Sequence, residues 1–202
     1  MSKKYKLTDE TINLNGVTLY RIEALKYFGE IKKGDKGGFI ESENNLAHEG
    51  DAWVSDNAHV YGDACVFNNA HVYGNAFVSG YAQVYGDANV CDDSSVFGSA
   101  LVYDNAHVYG DALVRGYACV CGDAEISNKS DYIVFQNWWS SGRYFTWTRS
   151  NNMWSVGCFY GTGEELIKKA YKDSELSGRE YERVVRYVES ILAEENPSKG
   201  TN

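Results

Sequence analysis

Ala58-His-Val-Tyr-Gly-Asp-Ala64-Cys-Val-Phe-Asn-Asn-Ala70-His-Val-Tyr-Gly-Asn-Ala76 decides the fold. A small residue is followed two positions later by a branched aliphatic, and the pattern returns after six residues. It runs unbroken from Ala52-Trp-Val54 to Ala124-Glu-Ile126, with Ser94 the one substitute for alanine. Two inward residues flanking an outward one read as a very short strand. The Gly-Asp, Gly-Asn and Asn-Asn pairs between the triplets supply residues that tolerate the backbone of a tight corner. Self-similarity at a fixed short period marks a solenoid. Six residues make one side, three sides make one coil, and residues 40–127 then hold about five coils.

Runs such as Val60-Tyr-Gly-Asp-Ala64, Val72-Tyr-Gly-Asn-Ala76 and Val84-Tyr-Gly-Asp-Ala88 resemble the hexapeptide repeat of left-handed parallel β-helix proteins. Gly37-Gly-Phe-Ile-Glu-Ser-Glu-Asn-Asn-Leu46, leading into Gly50-Asp-Ala-Trp-Val54, is similar to the opening of the solenoid in a subgroup often found in phages and prophages. Gly157-Cys-Phe-Tyr-Gly-Thr-Gly-Glu-Glu165 has a counterpart in a short module that follows the solenoid there. The resemblance implies a mainly β chain built on a triangular left-handed parallel β-helix. It also implies the transferase label the subgroup usually carries, which is inherited from fold, and fold does not imply function.

Three segments follow. Residues 1–39 carry a hairpin around Asn15-Gly16, flanked by Ile12/Leu14 and Val17/Leu19, and this piece is expected to cap one open end of the solenoid. Residues 40–127 are the coils. Residues 128–202 form a small α+β module with aromatic strands near Tyr132–Trp139, Arg143–Arg149 and Met153–Phe159, then two helices. Thr162 with Glu165, and Ser177 with Glu180, have the spacing of capping boxes. Tyr181, Val184, Val185, Val188, Ile191 and Leu192 share one face of the last helix, which Asn196-Pro197 should end.

Within 40–127 there are thirteen acidic residues against one base, Arg115. Such a surface repels phosphates, so nucleic acid is not expected to bind along the coils, and acyl-CoA lacks the cations it usually needs. Turn geometry alone also accounts for Asp and Asn at corners. No run approaches the ~18–20 apolar residues of a membrane span, and the start Met1-Ser-Lys-Lys-Tyr-Lys lacks the stretch of a signal peptide. A cytoplasmic protein is expected, in the host cytoplasm if phage-encoded. Cys65, Cys91, Cys119, Cys121 and Cys158 have no zinc spacing and read as reduced apolar residues. No metal and no cofactor is expected.

Residues eighteen apart should stack about 4.8 Å apart. One face then presents Trp53, His71, Asn89, His107 and Glu125 outward, and a second presents His59, Phe77, Ser95 and Leu113. The third presents Cys65/Phe67, Gln83/Tyr85, Leu101/Tyr103 and Cys119/Cys121, with no charge. An apolar row of that extent implies contact with a second copy or with the chain's own ends. Hexapeptide proteins are commonly trimers, so a homo-oligomer, trimer or dimer, is expected through Phe67, Tyr85, Leu101, Tyr103, Cys119 and Cys121.

Acetyltransferases of this fold typically use a histidine at a subunit junction, near a loop that breaks the coils. Here His59, His71 and His107 fall on outward strand positions and no insertion interrupts 52–126. There is no phosphate-binding loop and no nucleophile elbow. The sequence therefore favours a non-catalytic interaction protein with a host protein as partner. Such a rod could imitate nucleic acid and inhibit host defence or nucleic-acid-binding machinery. A hexapeptide acyltransferase using His59, His71 or His107 is one alternative, and sequestration of a small signalling ligand between subunits another. The partner contacts are expected on Trp138, Trp139, Arg143, Tyr144 and Arg149, because aromatics and arginine dominate interface hot spots. If Phe145 and Trp147 face inward, alternation puts Tyr144 and Thr146 outward.

Overall fold

A computed structural model describes residues 3–195. It is a mainly β chain: a hairpin, a parallel β-solenoid of about five turns, a four-stranded antiparallel sheet and two helices. The predicted termination of the last helix at Asn196-Pro197 lies outside the described residues.

The repeats form thirteen two-residue strands, from β4 (Trp53–Val54) to β16 (Glu125–Ile126), after the hairpin strands β1 (Tyr5–Leu14) and β2 (Val17–Ala24) and strand β3 (Lys36–Ile40). Strands eighteen residues apart pair in parallel and in register: Trp53 beside His71, Cys65 beside Gln83, His59 beside Phe77. The three outward rows expected from the six-residue period are the three faces observed. Inside, the alanines, the Ser94 substitute and the valines from Ala52 to Ile126 form continuous buried columns. Burial of that apolar area, at ~25 cal/mol per Å², is what the repeat contributes to folding.

The corners explain the Gly/Asp alternation. Asp56, Gly74, Asp92 and Gly110 all have positive φ. The Gly74 N–H donates to Asp56 Oδ2 at 3.1 Å, and the Gly110 N–H to Asp92 Oδ2 at 3.0 Å. A Cβ at Gly74 would lie 2.8 Å from the backbone of Asp92. In the neighbouring column the Asn69 amide donates to Asp87, and the Asn105 amide to Asp123, both at 3.0 Å. Amide and carboxylate thus alternate as donor and acceptor, which also keeps like charges apart.

Coil hydrogen bonds run from the N–H of one turn to a carbonyl of the next, as in Trp53 N–H to Ala70 O and Ser95 N–H to Ala112 O. The first turn is therefore left with carbonyls to satisfy and the last with N–H groups, and leaving either buried and unpaired is costly. At the first turn the chain supplies donors. The fully buried Lys4 ammonium reaches Ala52 O at 2.7 Å, the Tyr5 hydroxyl reaches Leu46 O at 2.7 Å, and the Asn45 amide reaches Ala64 O at 2.8 Å. Burial lowers the Lys4 pKa to about 8. Trp53, placed outward by the period, is 1 % exposed because Tyr5 and Phe28 pack edge-on against it.

The module comprises β17 (Tyr132–Gln136), β18 (Tyr144–Thr148), β19 (Met153–Val156), β20 (Phe159–Gly161), α1 (Gly163–Asp173) and α2 (Glu175–Glu195). Its own core joins Phe145, Trp147 and Trp154 to Leu166, Ile167, Tyr181, Val185 and Val188. The Thr162/Glu165 capping box forms at α1. The second helix starts earlier than the Ser177/Glu180 spacing predicts: it begins at Glu175, Ser174 Oγ accepts the Ser177 N–H at 3.0 Å, and Glu180 instead pairs with Arg183.

Candidate functional site

The last turn's free N–H groups are met by hydroxyl oxygens of the module. Tyr132 Oη accepts from Arg115 N–H at 3.3 Å, Thr146 Oγ1 from Cys119 N–H at 2.9 Å, and Ser150 Oγ from Glu125 N–H at 2.8 Å. One acceptor serves each of the three faces. The Tyr132 hydroxyl also donates to Leu113 O at 2.9 Å. The module is a cap, and it places its sheet beside the end of the uncharged face.

Alternation along β18 has a consequence that the sequence reading placed differently. Phe145 and Trp147 do face the module core, but Thr146, expected outward, is fully buried because it faces the solenoid. Tyr144, on that same side, is partly exposed and stacks on Tyr117 with ring centroids 4.3 Å apart and planes 9° apart. Next to this pair lies a cavity of about 260 Å³ lined by Leu101, Cys119, Arg143, Tyr144 and Ser155. Residues expected in two separate surfaces, an oligomer face and a partner site, therefore meet at one junction.

Cys119 is the chemically distinct member. Its sulfur accepts a 3.1 Å hydrogen bond from Ser155 Oγ and lies 3.5 Å from the Tyr103 hydroxyl. The neighbouring Cys121 thiol is the main cause that pulls the Cys119 pKa down, against the opposing effect of burial. The same pairing pushes Cys121 up, and burial raises Tyr103. Cys121 is buried, which the sequence reading of two thiols side by side on an open face did not anticipate. Farther from the cap, Phe67, Tyr85 and Tyr103 form a ladder of parallel rings at 4.8 and 4.9 Å, each half-buried.

The other expected partner residues separate. Trp138 is 76 % exposed. Trp139 packs edge-on against Tyr181 at 5.0 Å, on the core side. Arg149 is held by Glu195 and donates to Ser130 O at 3.0 Å, which ties the end of α2 to the sheet. The donor residues Lys4 and Asn45 and the acceptor Ser150 were not singled out from sequence, and Thr146 was placed outward without a role, because these roles depend on which backbone groups each end of the solenoid leaves free.

The histidines do not converge. His59 stacks between Phe39 and Phe77, at 5.7 and 4.8 Å, and its burial there lowers its pKa. His71 and His107 share another face with Asn89 between them. Burial lowers His71, while His107 Nε2 lies 3.4 Å from Cys91 Sγ. Among the described residues no group of three or more His, Cys, Asp or Glu side chains could hold a metal, and no helix is long and apolar enough to cross a membrane.

Comparison with protein-family models finds no match for this chain, and comparison with curated proteins finds none either.

Proposed function

We propose that this chain is a non-catalytic interaction protein in which the acidic solenoid is a stiff support and the C-terminal cap presents the surface that binds a partner. The observation that carries the reading is Trp138. Trp53, Trp147 and Trp154 are buried in the solenoid or module core, while Trp138 stands 76 % exposed on a module whose core closes without it. A large exposed aromatic is the residue type from which interface hot spots are built. Arg143 and Tyr144 are exposed on the same module and add a charged and an aromatic contact.

The partner in this reading is a host protein, and the chain is a phage-encoded inhibitor of host defence or nucleic-acid-binding machinery. The phage-type resemblance and the acidic coils support that choice. Self-association as a dimer or trimer belongs to the same proposal, now confined to the Phe67–Tyr85 part of the uncharged face, since the cap covers the Cys119–Cys121 end. The acyltransferase alternative calls for a histidine beside a substrate cavity, and His59, His71 and His107 line none of the cavities that the C-terminal module borders.

The test is affinity capture with the intact chain and its Trp138→Ala variant, scored together with inhibition in an infection assay and with an acetyl-CoA titration. Loss of capture and inhibition, with a silent titration, is the expected result. Saturable acetyl-CoA binding that His71→Ala or His107→Ala abolishes would replace this function with the acyltransferase.

A further inference from the structure

A cavity of about 410 Å³ lies between the helices and the module sheet, on the other side of Arg143 from the junction. Its size falls within the ~300–1,000 Å³ of small-molecule sites. Leu166 and Ala170, buried on one face of α1, and Val156 give it an apolar floor. Arg143 and Lys169 stand at its walls, and neither is ion-paired among the described residues. Arg149, Arg183 and Arg186 of the same module each have a carboxylate partner, and Lys168, Lys172 and Arg179 of the helices, which have none among the described residues, do not line the cavity.

The wall that carries Arg143 is held in place before anything binds. Asn137 N–H donates to Arg143 O at 2.7 Å, and Gly142 N–H to Asn137 O at 2.8 Å, closing the loop. The buried Asn137 side chain donates to the Tyr181 hydroxyl at 2.9 Å and accepts from Ser140 N–H and Oγ–H at 2.9 and 3.0 Å. The backbone of this wall therefore has little freedom to lose on binding, which lowers part of the ordering cost. On the opposite wall the Lys169 ammonium lies 5.8 Å above the Phe159 ring, so an aromatic face is presented beside a cation. Asp173 is the one acid among the lining residues.

We propose that this cavity binds a small organic anion, a phosphate or carboxylate carried on a flat apolar body, with Arg143 and Lys169 taking the charged group. Two cations without a carboxylate partner leave a positive potential that an anion neutralises, and the apolar floor with Phe159 and Tyr181 receives the body. Asp173 opposes the anion and sets a limit on its charge. Arg143 is common to this site and to the proposed partner surface, whereas Trp138 is not part of the cavity lining.

Isothermal titration of the full chain with phenyl phosphate, benzoate and uncharged benzyl alcohol tests the proposal. Saturable binding of an anionic probe is expected, the tighter of the two identifying the head group, with no detectable binding of benzyl alcohol. Arg143→Ala and Lys169→Ala should each weaken the anion about tenfold, the scale of one lost charge-assisted hydrogen bond. Asp173→Asn should tighten it, an effect that misfolding cannot imitate. The proposal is overturned if neither anion saturates, if benzyl alcohol binds as well as they do, or if the Arg143→Ala/Lys169→Ala double variant keeps the parent affinity.

Discussion

The Cys119 backbone N–H donates to Thr146 Oγ1 at 2.9 Å, across the boundary between the last solenoid turn and the C-terminal sheet. With the Tyr132 and Ser150 oxygens on the other two faces, this bond makes the module complementary to one end of the solenoid only. The opposite end, which presents carbonyls, is met by the Lys4 ammonium, the Tyr5 hydroxyl and the Asn45 amide. Chain polarity thus dictates the chemistry of each cap.

Thr146→Val keeps the shape and removes the acceptor, leaving a buried N–H unpaired. A loss of ~1–3 kcal/mol is expected in urea unfolding, with Thr146→Ser much closer to the parent. Equal stability of the valine and serine variants would mean that the bond does not hold the cap. Removing 128–202 altogether should make the remaining coils aggregate through their three uncovered edges.

Lys4 predicts a pH dependence. Its folded pKa is about 8 against an ordinary 10.5, so between those values the unfolded chain binds more protons than the folded one. Stability contributed by this group therefore rises with pH from about 8 towards 10.5, by at most ~2 kcal/mol over the first 1.5 units. Tyr5, raised by burial, opposes it only where an ordinary tyrosine ionises, near 10 and above. The thiols of Cys65, Cys91 and Cys121, all raised in the folded chain, lower stability over the same pH range, so the test is a difference: between pH 8 and 9.5 the melting temperature of the parent should gain on that of Lys4→Met, and identical pH profiles would contradict the assignment.

The corner carboxylates separate geometry from charge. Asp56, Asp92 and Asp104 each accept the N–H of a glycine in the next turn, at 3.1, 3.0 and 3.2 Å. An asparagine oxygen can accept the same bond and tolerates the same positive φ. The triple Asp→Asn variant should keep the parent melting temperature within a few degrees, whereas Asp92→Ala should cost ~1–2 kcal/mol. If the folded triple variant also loses partner capture, the acidic surface is itself recognised; retained capture assigns these acids to turn geometry alone.

Much of this was legible in the sequence, for identifiable reasons. An inward alanine and valine at fixed spacing admit one register, so the pairing of strands eighteen residues apart followed directly from the period. The Thr162/Glu165 box was readable because it is a local, reciprocal pair of hydrogen bonds. Ser177/Glu180 has identical spacing, but Ser174 had already begun the helix one turn earlier. Thr146 and Trp53 were placed on the correct side of their strands and yet not recognised as buried, because what covers them comes from segments distant in the chain. For the same reason the meeting of Leu101 and Cys119 with Arg143 and Tyr144 is a property of the docked cap and of no local pattern.

Self-association is expected where the aromatic ladder stays half-open. Tyr85 lies in the middle of it, between Phe67 and Tyr103 at 4.8 and 4.9 Å. Placing a carboxylate there, in Tyr85→Glu, should lower the mass seen by multi-angle light scattering, since burying an unpaired charge at an interface is strongly unfavourable. A monomeric parent protein would remove the idea.

The central claim is that the exposed aromatic of the cap is the partner-binding surface. Its most direct measurement is the affinity of the isolated complex with parent protein and with Trp138→Ala, once capture has supplied the partner. The side chain is exposed, so the variant should melt with the parent while its dissociation constant rises by a factor of 30 or more, roughly the ~2 kcal/mol of a hot-spot residue. An unchanged dissociation constant in the folded variant would contradict the account and leave the module as a cap alone.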